Sequence, residues 1–190
     1  MTETTTGFTL WLTGLPCAGK TSLSMAIAAQ LRSIFNVVEV LDGDVIRKDF
    51  SKDLGFSKED RAHNVERAAS RAAALMKESA VVIVSLVSPY RQDRALARRR
   101  IGRFIEIYVR CPLEICEKRD VKGLYRRARS GEIAHFTGVS DPYEEPLQAE
   151  IVLDTDRRDI AACVDQVLDH LETSGLIPRR PSTSQPFVRP

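Results

Sequence analysis

The residues of this chain whose types and spacing could do chemistry begin at Gly14. Gly14-Leu-Pro-Cys-Ala-Gly19-Lys20-Thr21 has the form GxxxxGKT, with an apolar run before it and a helical pattern after it. Glycines let backbone N–H groups turn inward around an anion, and a helix starting at the loop adds partial positive charge. Lys20 would reach the outer phosphates of a nucleoside triphosphate, and the Thr21 hydroxyl would ligand Mg²⁺. The expected cradle is therefore Gly14, Pro16, Cys17, Ala18, Gly19, Lys20 and Thr21, with ATP and Mg²⁺ as its ligands. No NKxD string stands ready to read guanine.

The carboxylates come next. Leu41-Asp42-Gly43-Asp44 closes a second apolar run, whereas Val81 to Leu86 ends without an acid. An aspartate just past a strand can face the phosphates, accept a proton from an attacking hydroxyl, or hold a metal through water. Asp44 is the expected catalytic base, and Asp42 reads more readily as part of an Asp-Gly turn.

These side chains need a frame. Phe8 to Thr13, Val37 to Asp42, Val81 to Leu86, Arg103 to Arg110 and Glu150 to Asp154 read as strands. Helical patterns lie at about 19–35, 57–79 and 159–173, the second with Ser57 as N-cap and Asp60 three residues on. Alternation of this kind predicts an α/β single domain: a five-stranded, mainly parallel sheet with helices on both faces and ligands beyond the strands' carboxyl ends. Arg103 to Arg110 alternates in polarity and is expected at a flank. The domain is expected over 1–176. Residues 177–190, in a stretch with four of the chain's nine prolines, are expected to be a disordered tail.

Composition narrows the partners. Lys+Arg 28 against Asp+Glu 26 leaves a net charge of +2, and the arginine runs at 98–100 and 126–127 lack a supporting fold signal, so nucleic acid is not expected. No apolar run approaches ~18 residues, so no membrane span is expected. The polar start MTETTTGF is too short for a signal peptide, and four cysteines without CxxC spacing suit free thiols in a reducing compartment. A cytoplasmic protein is expected.

With its GxxxxGKT, LDGD and Arg47, then Asp53-Leu-Gly-Phe56-Ser, Arg61 and Asn64, the chain resembles the adenylylsulfate kinase (APS kinase) family. Ser88-Pro-Tyr-Arg-Gln-Asp93-Arg94, Asp120-Val-Lys122-Gly-Leu-Tyr125, Phe136-Thr-Gly138 and Asp141-Pro-Tyr-Glu144 come in order after them, so the resemblance covers about residues 7 to 172. It implies ATP-dependent phosphorylation of adenylylsulfate at the ribose 3′-hydroxyl. Phe56 and Phe136 would sandwich the adenine, and Arg47, Arg61 and Lys122 would neutralise the phosphosulfate. Asn64, Val87 and Ser88 would complete that pocket beside Asp44. A serine at the place of Ser88 has been described in the family as a phosphoryl carrier. Direct in-line transfer needs no carrier, and Ser88 is read here mainly as a substrate-positioning residue with catalytic consequence. Lys122 to Glu132 resembles the family's mobile lid, Arg158 would approach the ATP adenine, and a homodimer is implied.

Two positions depart from the family's pattern. Val45 stands where a polar residue is usual, and His63 where an acid is common; both bear on substrate affinity rather than reaction type. Two other functions stay open at this level: a P-loop kinase for another small alcohol, and a non-catalytic nucleotide-binding regulator. Such regulators tend to lose the phosphate cradle, which is intact here, and ATP turnover distinguishes the two directly.

Overall fold

A computed structural model describes residues 7–49, 51–78 and 81–180. Its strands are β1 (Thr9–Thr13), β2 (Val38–Asp42), β3 (Val81–Ser85), β4 (Phe104–Arg110) and β5 (Ile151–Asp154). They form one sheet in the order β2-β3-β1-β4-β5, every neighbouring pair parallel. Its helices are α1 (Lys20–Leu31), α2 (Gly43–Asp49), α3 (Lys58–Met76), α4 (Arg91–Ile101), α5 (Leu113–Lys118), α6 (Leu124–Arg129) and α7 (Ile160–Thr173).

The two faces come from strand alternation. Leu10, Leu12, Ile83, Ile105 and Ile107 pack under Leu23 and Ile27 of α1 and Val164 and Leu168 of α7. Trp11, Val82, Val84 and Phe104 face the other way, beneath Val65, Ala69 and Ala72 of α3 and Ala97 of α4. Short apolar strands buried on both faces are what a parallel sheet requires. The α3 start is capped as expected, Ser57 Oγ accepting the Asp60 N–H at 3.1 Å.

Two expectations change. The strand over 104–110 is not a flank: β4 lies between β1 and β5 and is buried along most of its length. Its alternation comes from Glu106, which is taken inside the fold because Arg94 Nε meets Oε1 at 2.7 Å. The domain boundary also shifts. Ile177 is 5% exposed against the α1/α7 core, and Arg180 pairs with Asp165, Asp169 and Glu172 of α7. The expected tail thus begins inside a packed segment, and its remainder, 181–190, lies outside the described residues.

Candidate active site

The turn after β1 is a cradle because its backbone must be one. Gly14 stands at φ 153, and a Cβ there would lie 2.4 Å from the Val109 carbonyl oxygen of the neighbouring strand. Gly19 takes φ 100 at the N-cap of α1, a conformation that favours glycine. Between them Cys17 adopts φ 61, so the loop curls back over the helix start. Ala18 is fully buried, and its carbonyl accepts Thr155 Oγ1 at 2.9 Å, tying the loop to the end of β5. Tyr125 Oη donates to the Pro16 carbonyl at 3.0 Å and ties it to α6.

Lys20 is 9% exposed and its ammonium donates to the carbonyls of Gly14 (2.9 Å) and Leu15 (2.7 Å). Burial lowers its pKa to about 8, only partly opposed by nearby thiols and by Asp42 and Asp44. The ammonium is a desolvated cation without a carboxylate on it, as a phosphate-binding lysine should be.

Across the crevice, Thr21 Oγ1 donates to Asp42 Oδ2 at 2.8 Å, and Asp42 Oδ1 accepts the Asp44 N–H at 2.9 Å. Asp42 therefore does more than close a turn: it orients both the threonine and the first turn of α2. Hard oxygens from Thr21 and Asp42 fit Mg²⁺, which takes few protein ligands and completes its shell with phosphates and water. Among the described residues, no group of three or more His, Cys, Asp or Glu could hold a metal ion. Asp44 Oδ2 is met by Lys122 Nζ at 2.6 Å, both side chains being largely exposed.

These groups open into a cavity of about 490 Å³ that continues under α3. Of the residues singled out in the sequence, it collects Pro16, Cys17, Gly19, Lys20, Thr21, Asp44, Arg47, Phe56, Arg61, Asn64, Val87, Ser88, Lys122 and Phe136. Gly14 and Ala18 shape the cradle from behind. Arg158 is not brought there; its guanidinium bonds Gln166 Oε1 at 2.9 Å.

The cavity lining also carries two guanidinium groups, Arg47 and Arg61. Arg47 donates to the Gly55 carbonyl (2.8 Å), and Arg61 to the carbonyls of Phe56 (3.0 Å) and His135. Among the described residues neither arginine forms an ion pair. Both guanidiniums are held below their ordinary pKa, chiefly by desolvation, and Arg47 next by the charge of Arg61. Two unneutralised cations in one pocket call for an anion. Both sit over the ring of Phe56, at 4.2 and 5.5 Å from its centroid, and Phe56 is 52% exposed at the cavity mouth. Phe136, also in the cavity lining, is nearly buried, edge-on to Tyr125 at 4.9 Å. Asn64 Oδ1 and Thr137 Oγ1 are buried without a hydrogen-bond partner, and both residues line the cavity.

Sequence reasoning passes over three of these residues. It assigns Asp42 to a turn, meets Thr137 only inside a motif, and does not single out Arg119. Arg119 lines the cavity beside the cradle and donates to the Thr155 carbonyl at 2.7 Å. Its position immediately before Asp120, whose carboxylate accepts the N–H groups of Leu124 and Tyr125 at the start of α6, is the available signal.

The adenylylsulphate kinase family profile matches residues 6–154. The chain belongs to that family. An adenylyl-sulfate kinase of Synechococcus sp. (strain JA-2-3B'a(2-13)) is 52% identical over 171 residues, 90% of this chain and 98% of the relative. Another, from Paraburkholderia xenovorans, is 48% identical over 90% of this chain and 96% of its own length. The Mycobacterium tuberculosis APS kinase CysC, solved in complex with AMPPNP and APS, superposes with a TM-score of 0.83 at 41% identity. It covers 87% of this chain and 98% of that one. A gluconokinase of Sinorhizobium meliloti, 17% identical with a TM-score of 0.59, shares the fold.

Proposed function

We propose that this chain transfers the γ-phosphoryl group of ATP to the ribose 3′-hydroxyl of adenylylsulfate, giving 3′-phosphoadenylylsulfate and ADP. The observation that carries this reading is the pair Arg47 and Arg61, unneutralised cations in a pocket continuous with the phosphate cradle. ATP lies over Gly14–Thr21 with Lys20 on its outer phosphates, and Arg119 and Thr155 border the nucleotide side. Adenylylsulfate enters between Phe56 and Phe136, its phosphosulfate taken by Arg47 and Arg61 and its base stacked on the aromatic faces. Asn64 Oδ1 and Thr137 Oγ1 gain the partners they lack.

Asp44 accepts the proton of the 3′-hydroxyl. That carboxylate is paired with Lys122, and a substrate anion that takes up Lys122 frees it to accept the proton. Thr21 and Asp42 would hold Mg²⁺, and the ion would supply charge that offsets repulsion between the phosphates and the attacking oxygen. Lys20 stabilises charge on the transferring group without moving. Closure of Lys122–Glu132 excludes water. Within that segment Arg127 is paired with Glu132 and Arg129 with Glu117.

The test is ADP release by the purified chain from Mg-ATP, with and without adenylylsulfate, tracking the 3′-phosphorylated product. Turnover that depends on adenylylsulfate supports the reading. ATP consumption with another alcohol alone, or tight nucleotide binding with no turnover, overturns it.

Self-association as a homodimer and a cytoplasmic location belong to the same proposal. Free thiols at Cys17, Cys111, Cys116 and Cys163 suit a reducing compartment. No helix among the described residues is long and apolar enough to cross a membrane. A Thiobacillus denitrificans relative, 32% identical, is a hexameric APS kinase. Light scattering on the full chain distinguishes monomer, dimer and hexamer.

A further inference from the structure

Ser88 is held more tightly than a pocket-lining serine needs to be. The residue is 4% exposed and stands at φ 38, a left-handed backbone that costs a non-glycine residue about 1–3 kcal/mol and persists only where its surroundings enforce it. The enforcing contacts are on both its ends. Arg94 Nη1 donates to the Ser88 carbonyl at 2.7 Å, and Thr13 Oγ1 donates to the Val87 carbonyl at 2.8 Å. Arg94 is itself fixed by Glu106 (2.7 Å) and by the Glu144 carbonyl (2.7 Å). At the side chain, Trp11 Nε1 donates to Ser88 Oγ at 3.1 Å. Trp11 has no exposed surface and stacks on Phe104 with centroids 5.4 Å apart, so its N–H cannot swing away.

The direction of that last bond matters. Indole is a donor only, so Ser88 Oγ must accept and its own proton must point elsewhere. Ser88 lines the cavity, and a donor is what an anionic substrate can use. Trp11 also cannot take the hydroxyl proton, so the bond does not prepare Ser88 as a nucleophile in the way an adjacent base would. We propose that Trp11 and Arg94 are positioning residues that fix Ser88 as a hydrogen-bond donor to an acceptor oxygen of the second substrate. This rests on adenylylsulfate being that substrate.

The test is a double-mutant cycle on the full chain with Trp11→Phe and Ser88→Ala, reading KM for adenylylsulfate and for Mg-ATP separately. Ser88→Ala is expected to raise the adenylylsulfate KM about tenfold and Trp11→Phe about fivefold, as loss of one hydrogen bond to a charged acceptor or of its alignment should. The double variant is expected to be no worse than Ser88→Ala, with KM for Mg-ATP within about twofold of wild type in all three. A purely structural tryptophan gives multiplying effects, or moves both substrates' KM alike; either result overturns the proposal. Trp11 is the chain's single tryptophan, which gives a second readout if Trp11→Phe does not fold. Adenylylsulfate should change its emission in the wild type and leave it unchanged in Ser88→Ala. The same change in both, or in neither, sinks the idea. A wild-type chain without adenylylsulfate-dependent turnover would instead defeat the substrate reading, separately from this one.

Discussion

Lys20 shows how one residue's surroundings set a measurable behaviour. Burial lowers its pKa to about 8. Phosphate oxygens on the ammonium favour the charged form, so the bound pKa is higher. Well below pH 8 the lysine is charged with and without nucleotide, and affinity does not change through this group. Above pH 8 binding takes up a proton, so affinity falls as pH rises, approaching about tenfold per unit. Calorimetric titration of Mg-ATP between pH 7 and 9.5, in buffers of different ionisation enthalpy, should show that slope and the proton uptake; Lys20→Met should show neither. Lys122 makes a second case. It is paired with Asp44, and under the proposed function it also serves the substrate's anion. Lys122→Met is expected to raise the adenylylsulfate KM about tenfold by losing a charged contact. It should also raise ADP release without adenylylsulfate, because Asp44 is left uncovered. An unchanged background rate would mean that the pairing protects nothing.

At the scale of elements, the site is assembled from the segments at the carboxyl ends of the strands. The cradle comes after β1, Asp42 and Asp44 end β2 and open α2, Ser88 lies beyond β3, and Thr155 beyond β5. Groups more than a hundred residues apart therefore meet, as the Thr155 hydroxyl and the Ala18 carbonyl do. Strand β4 contributes differently, through the buried Glu106 carboxylate that holds Arg94, the donor to the Ser88 carbonyl. Removing one partner of a buried pair leaves the other unpaired, so Glu106→Ala is expected to cost about 3–5 kcal/mol. Urea unfolding should show this as a lower midpoint with an unchanged slope. A loss under about 1 kcal/mol would mean that Arg94 is carried by its backbone acceptors alone. Glu106 also marks where the sequence misleads. A single acid in an apolar run reads as an exposed face, and nothing local to it announces Arg94, which lies on a helix twelve positions earlier. The cradle was legible because its chemistry is local: two glycines, a lysine and a hydroxyl at fixed spacing. Asp42 was not, because its value depends on Thr21 being opposite it, a tertiary fact. Arg119 was hidden in the same way behind the fold of β5.

For the whole molecule, the question is where the folded unit ends. Proline and arginine after Gly175 look like a linker, yet the chain turns back on α7. Leu176 packs against the core, Ile177 is nearly buried in it, and Arg180 gathers three carboxylates that would otherwise repel one another along one helix. Burying one large aliphatic side chain is worth about 1.5–3 kcal/mol, while the exposed arginine contacts add little by themselves and weaken with salt. A chain ending at Gly175 should therefore melt lower than one ending at Arg180 by about 4–10 °C, given about 2–4 °C per kcal/mol at this size. Both should keep adenylylsulfate-dependent turnover at 25 °C, since none of residues 176–180 lines the cavity. Arg180→Ala in the longer chain separates the causes: a small shift that disappears in high salt assigns the stabilisation to Leu176 and Ile177. A shift as large as that of truncation would make the carboxylate clamp the true end of the domain.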